Sequence, residues 1–159
     1  MKKTVGVILT IALILLTACG NAKNRPDGTA NGLSSDCPAS KGDTVTVTVS
    51  FKENPGIASA ILTVSYDAAH LIPVSVKYLN SFANGGERPD IKKLPMRLTW
   101  CGLADNGETE FAELTFRVTE QFGSVTESKI DINYANGDIC NLEEEEIPLT
   151  VCCGSVFIK

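Results

Sequence analysis

The sequence predicts an all-β sandwich, on three observations. From Asp43 onward apolar side chains recur at every second position, turn-forming residues separate the alternating stretches, and no apolar stripe at helical spacing runs for ten residues. Alternation is what a half-buried strand requires, because successive side chains point to opposite faces of a sheet. Residues 44–51 alternate without a break, with Val45, Val47, Val49 and Phe51 on one side and hydroxyl residues on the other. Asn54-Pro55-Gly56 turns the chain. Residues 57–66 follow, with Ala60, Leu62, Val64 and Tyr66 inward and Ser59, Ile61, Thr63 and Ser65 outward. After a turn that begins at Asp67, residues 72–78 read as an edge strand or a strand start, because Pro73 has no amide hydrogen to give to a ladder. A long loop marked by Asn84-Gly85-Gly86 and Arg88-Pro89-Asp90 leads to Met96, Leu98 and Trp100, which alternate with Arg97, Thr99 and Cys101. Beyond Asp105-Asn106-Gly107, Ala112, Leu114, Phe116 and Val118 oppose Glu113, Thr115 and Arg117. Ile130, Ile132 and Tyr134 form another set, Asn136-Gly137-Asp138 turns again, and residues 147–151 and 155–158 complete eight strands. Eight short strands with turn residues between them make a sandwich.

The chain has 159 residues, 43% hydrophobic and 21% charged, which fits one domain able to bury its own core. With 14 basic against 19 acidic residues and a net charge of −5, it offers no basic stripe for a phosphate backbone, and nucleic acid is excluded as a partner. His70 is the single histidine, and no nucleophile, base or metal constellation surrounds it, so the chain is not read as an enzyme.

The N-terminus is an export signal. Met1-Lys2-Lys3 precedes an apolar run over residues 5–16, too short to cross a hydrocarbon core that needs about 20 apolar residues. Its end, Leu16-Thr17-Ala18-Cys19, resembles the lipobox of bacterial lipoproteins, whose signal is cut just before a diacylated cysteine. The expected organisation is a signal peptide over 1–18, a lipidated Cys19 with a flexible tether over 19–40, and the sandwich over 41–159. Two acyl chains suffice for stable anchoring, where one binds only marginally. The mature chain would carry 12 basic against 19 acidic residues, so lipid rather than charge must hold it to the outer side of the membrane. No clear alternation precedes Lys41, and the first strand is either stunted or starts near Cys37.

Five cysteines besides Cys19, namely Cys37, Cys101, Cys140, Cys152 and Cys153, cannot all pair within one chain. No C-x-x-C occurs, so no metal site is expected; small buried hydrophobes are the default, and a Cys140 bridge to Cys152 or Cys153 is the alternative. The run from Glu143 to Glu146 reads as a solvated loop, His70 as a surface residue, and Trp100 as core.

In this order and spacing the residues resemble a known family. Gly42-Asp43-Thr44-Val45-Thr46-Val47-Thr48-Val49-Ser50-Phe51, Asn54-Pro55-Gly56-Ile57, Tyr66-Asp67, Leu71 and Pro73-Val74-Ser75-Val76 resemble the opening half of a cohesin domain. Phe111-Ala112-Glu113-Leu114-Thr115-Phe116-Arg117-Val118 and the closing Gly154-Ser155-Val156-Phe157-Ile158 resemble its later strands. Ala68 departs from the family, standing where its turn has proline.

The resemblance implies a nine-stranded jelly-roll β-sandwich, similar in architecture to carbohydrate-binding modules. It also implies a non-catalytic module that binds a dockerin-bearing protein, expected to be a glycoside hydrolase of a cellulosome-type system. Calcium would belong to the dockerin and no cofactor to this chain. The positions that match the family's contact surface are Ser59, Ile61 and Thr63, followed by Thr99, Cys101, Leu103, Ala104 and Gly107. Family members often carry Asn and Asp where Ser59 and Ile61 stand, so a different dockerin specificity is implied. No internal repeat occurs, so one partner is expected rather than many. The rival reading is a surface lipoprotein with a carbohydrate-binding or adhesion sandwich and a polysaccharide ligand. It wants exposed planar aromatics, yet aromatics are 6% of the chain and most fall in apolar series.

Overall fold

The computed structural model describes residues 30–32, 37–51, 53–104, 107–119, 127–151 and 154–158. The signal over 1–18 and Cys19 lie outside the described residues, as do the turn residues Asp105 and Asn106 and the cysteines Cys152 and Cys153. The described residues form eleven strands: β1 Ala30–Gly32, β2 Cys37–Ala39, β3 Thr44–Ser50, β4 Ser59–Tyr66, β5 Leu71–Tyr78, β6 Met96–Cys101, β7 Glu110–Val118, β8 Glu127–Asn133, β9 Ile139–Cys140, β10 Leu149–Val151 and β11 Gly154–Ile158. Nine were expected, and the surplus consists of two- and three-residue pieces. A single 3-10 turn, Asn80–Ala83, follows β5.

Two sheets form the sandwich. One has the order β3-β7-β5; the other has the order β2-β11-β8-β4-β6, with β9 also paired to β4. A two-stranded parallel sheet, β1-β10, stands beside them. The alternation of β3, β4, β6 and β7 is carried straight into burial: Val45, Val47, Val49, Ala60, Leu62, Val64, Met96, Leu98, Trp100, Leu114 and Phe116 share one core. Each valine, leucine, methionine or phenylalanine among them stabilises by about 1.5–3 kcal/mol on leaving water. A slip of one residue would turn the whole set outward, which is what fixes the register. Rings bridge the layers, with Tyr66 of β4 against Phe116 of β7 at 5.1 Å between centroids. Phe82 packs edge-on against Trp100 and Phe111 at 4.9 and 5.1 Å.

Three features differ from expectation. Residues 30–32 and 37–39, placed in the tether, are strands, because β2 finds a parallel partner in β11 more than a hundred residues away. The larger sheet thus takes in Cys37–Ala39, one of the two starts the sequence left open. The proline strand β5 is indeed the outer member of its sheet, but the ladder shifts between Pro73 and Ser75. That bulge leaves Val74 49% exposed. Finally, His70 is largely covered and not a surface residue: its side chain is 12% exposed, with Nδ1 2.8 Å from the Asp67 carboxylate. Asp67 also accepts the Ala69 amide through Oδ1 at 2.9 Å, and this carboxylate organises the turn where the family has proline.

Candidate functional site

Strand β4 lies inside the larger sheet, next to its edge strand β6, and its outward side chains Ser59, Ile61, Thr63 and Ser65 form the spine of one face. Against β6 the ladder is unbroken from Ser59↔Cys101 through Ile61↔Thr99 to Thr63↔Arg97. On its other side β4 pairs first with β8, at Thr63↔Asn133 and Ser65↔Asp131, and then with β9, at Ser59↔Cys140. Strands β8 and β9 thus line the same edge of β4 as one strand interrupted by the turn at Ala135–Asp138. That turn is tied by Ala135 N–H to Asp138 Oδ2 at 2.7 Å, and the Asp138 carbonyl accepts the Ile61 amide at 2.9 Å. Directly paired residues point the same way, so one row across the sheet reads Cys101, Ser59, Cys140.

The outer edge of β6 is closed by the preceding loop. Glu87 N–H donates to the Thr99 carbonyl at 2.9 Å, and Cys101 N–H donates to the Gly85 carbonyl at 3.1 Å. The Tyr78 hydroxyl donates to the same Thr99 carbonyl at 3.0 Å, and Trp100 Nε1–H donates to the Asn84 carbonyl at 2.8 Å. Glycine is required here: a Cβ on Gly85 would strike the Cys101 carbonyl, and one on Gly86 the Tyr78 ring. With this edge occupied, a partner cannot add a strand to β6 and must bind through side chains. Burial, together with the negative charge of Glu87, pushes the Tyr78 hydroxyl up to about 12, against the opposing pull of its bond to Thr99.

Of the residues singled out from the sequence, Ser59, Ile61, Thr63, Thr99 and Cys101 share this face. Leu103, just beyond it, is 69% exposed. Ala104 is partly buried and packs against the core instead. Gly107 sits exposed in the following turn with φ 90°, and a Cβ there would meet nothing. Arg97, read as outward from its alternation but not assigned to the site, also reaches this face, and sequence reasoning missed Cys140, Leu142, Asp131 and Asn133. The continued alternation of β8 could have found the last two; the short β9 carries no such signal. Cys101 and Cys140 are both free thiols, and Cys152 and Cys153, the other half of the alternative bridge, lie outside the described residues. Among the described residues no group of three His, Cys, Asp or Glu side chains could hold a metal ion.

The sequence model of the cohesin domain matches residues 36–145. No curated protein matches. Among solved structures, a cohesin from the OlpC–Doc435 cohesin–dockerin complex of Clostridium thermocellum superposes with a TM-score of 0.72 at 21% identity, over 87% of this chain and 99% of that one. The seventh ScaB type I cohesin of Pseudobacteroides cellulosolvens gives 0.71 at 16% identity, over 82% and 92%. A non-cellulosomal cohesin of the archaeon Archaeoglobus fulgidus gives 0.67 at 16% identity, over 82% and 90%. At such identities these likenesses establish the fold.

Proposed function

The chain belongs to the cohesin family, a family of non-catalytic binding modules, and from that premise we propose that it captures a dockerin-bearing protein through the outward face of β4, β6 and β9. The observation that carries this reading is Ile61. It is an apolar side chain on the solvent side of an inner strand, partly exposed between Thr99 and the Asp138 turn, on a sheet whose backbone groups there are already bonded. Ser59, Thr63, Thr99, Cys101, Leu103 and Gly107 supply the rest of the assigned surface, with Ala104 partly buried against the core beside them. A stable interface of this kind buries about 1,200–2,000 Å² in total, around a few apolar anchors inside a polar rim.

The partner is a glycoside hydrolase of a cellulosome-type system, bringing its own calcium, and this chain needs no cofactor. Support for anchoring comes from the sequence: the lipobox-like Leu16-Thr17-Ala18-Cys19 places the domain on the outer side of a bacterial membrane, held by lipid at Cys19. The carbohydrate-binding rival loses ground on geometry. Trp100, the natural sugar platform, is 1% exposed, and Phe157 is the one aromatic among the large exposed apolar residues of the described chain. The test is a binding screen of the mature chain against recombinant dockerins in parallel with insoluble cellulose and xylan. Dockerin binding without polysaccharide retention is expected; retention on polysaccharide with no dockerin bound contradicts the proposal.

A further inference from the structure

Six large apolar side chains are exposed among the described residues: Ile72 40%, Val74 49%, Leu94 48%, Leu103 69%, Leu142 66% and Phe157 40%. Leu103 and Leu142 follow Cys101 and Cys140 and belong to the Ser59 end of the docking face. Three of the others gather elsewhere. β5 and β6 are the outer strands on one side of the sandwich, where the Tyr78 hydroxyl of the first reaches the Thr99 carbonyl of the second. Both strands begin at the same end: β4 runs out at Tyr66, the turn at Asp67 leads directly into Leu71, and Met96 pairs with Val64. Ile72 and Val74 open β5 and Leu94 stands just before β6, so all three lie at one end of this side.

Cations share that place. Arg117 of β7 is the cross-strand partner of Ile72 and is exposed with it. Asp90 shapes the loop that enters β6: its Oδ1 accepts the Lys92 amide at 3.1 Å and its carbonyl the Lys93 amide at 3.2 Å, leaving Lys92, Lys93 and Leu94 exposed in succession. Asp67 and Asp90 are the carboxylates beside them, yet none of the three cations forms an ion pair with a carboxylate of the described residues. The mature chain has 12 basic against 19 acidic residues, so cations left unpaired around exposed apolar side chains ask for an anionic ligand with an apolar interior.

The length of chain outside the described residues says which. Ten residues, 20–29, separate Cys19 from Ala30 at the start of β1, a reach of at most about 35 Å. β1 and β2 both touch β3, on the side opposite β5 and β6, and the larger sheet is four strand spacings wide, about 19 Å. The tether thus reaches round the domain with length to spare. A bilayer held that close meets the patch at a high effective concentration, and weak affinity is enough to turn the domain toward it.

We infer that the β5–β6 side, at its Ile72 and Leu94 end, is a membrane-facing surface: Ile72, Val74 and Leu94 enter the interfacial layer of an anionic bilayer, and Lys92, Lys93 and Arg117 meet its phosphates. This surface presupposes the lipid at Cys19 proposed above. The lipid holds the chain and the patch orients it, so that the β5–β6 edge faces the bilayer and the outward side of β4 stays open to a partner. The carboxylates elsewhere, residues 143–146 among them, are repelled by the same bilayer and add to the orientation.

The experiment is co-sedimentation of the mature chain carrying Cys19→Ser, and therefore no lipid, with vesicles of phosphatidylglycerol or of phosphatidylcholine at low and high salt. Retention on phosphatidylglycerol that salt weakens, with none on phosphatidylcholine, is expected. Lys92→Glu combined with Lys93→Glu, and separately Leu94→Asp, should each reduce retention by roughly tenfold or more, with melting temperature and dockerin binding unchanged. Equal retention on both lipids, or full retention of the double lysine variant, overturns the inference and leaves docking untouched. If soluble polyphosphate binds as well as the vesicles do and Leu94→Asp changes neither, the ligand is a free polyanion and the membrane is refuted. A dimer that Leu94→Asp breaks would make the occupant a second copy and refute it equally. Mass spectrometry of Cys19 in the wild-type chain recovered from bacterial membranes reads the anchor separately: an unmodified Cys19 sinks anchor and orientation together, whereas a diacylated Cys19 without a phosphatidylglycerol preference sinks the orientation alone.

Discussion

The two outward faces of the sandwich are built by the same alternation and end up chemically unlike. On the smaller sheet, Thr44, Thr46, Thr48 and Ser50 of β3 face Arg117, Thr115, Glu113 and Glu110 of β7, and Lys77 of β5 stands opposite Glu113. The Thr46 and Thr115 hydroxyls meet at 3.4 Å. Every outward position of β3 there is a hydroxyl beside a hydroxyl or a charge, which water solvates well. On the larger sheet the row Cys101-Ser59-Cys140 is followed by Ile61, with two exposed leucines beyond. Alternation dictates only which side chains leave the core; what is placed on the outside decides whether that side is merely wet or is kept for a partner.

The largest effect breaks both faces at once. Phe116 is fully buried and stacks on Tyr66 across the layers, so Phe116→Ala is expected to cost about 3–5 kcal/mol in denaturant unfolding, and to remove docking with the fold. A loss under about 1 kcal/mol would mean that the sheets do not share this core.

The next separates the faces. Ile61→Asp should weaken dockerin binding by roughly a hundredfold with unfolding unchanged, whereas Thr46→Asp, outward on the smaller sheet, should leave binding alone. Equal effects of the two would erase the distinction. Gly86→Ala then probes what holds β6 in line: the added methyl meets the Tyr78 ring, and about 1–3 kcal/mol of stability is expected to go, read as a lowered melting temperature.

The smallest effect is alkaline. Tyr78 is raised from 10.0 to about 12 on folding, so the folded chain holds this proton longer than the unfolded one. Its contribution is complete below pH 10.0 and is lost as pH climbs toward 12. Tyr78→Phe should therefore flatten the fall in stability across that window, as measured by melting at successive pH values. An unchanged slope would assign the alkaline loss to other groups.

Strands β3, β4, β6 and β7 were legible because each alternates for six residues or more, and the outward position of Ile61 followed from that period alone. The short strands were not. Cys37-Pro38-Ala39 has no pattern to show, and it becomes a strand only because β11 lies alongside. Residues 139–140 join the face only because the turn at Ala135–Asp138 breaks one strand into two against β4, a pairing no local signal announces. Leu142 was hidden for the same reason, its run of glutamates reading as simple solvated loop. Ala104, carried over with its neighbours by resemblance, is partly buried against the core, a placement the pattern of its loop does not signal.

Docking on one side of the larger sheet must leave its mark on the backbone amides of that side. Amide hydrogen exchange of the mature chain, with and without a saturating dockerin, tests it most directly. Slowed exchange confined to β4, β6, β9 and residues 141–146 is the predicted result; slowing on β3, β7 and β5 with none on β4 would contradict it.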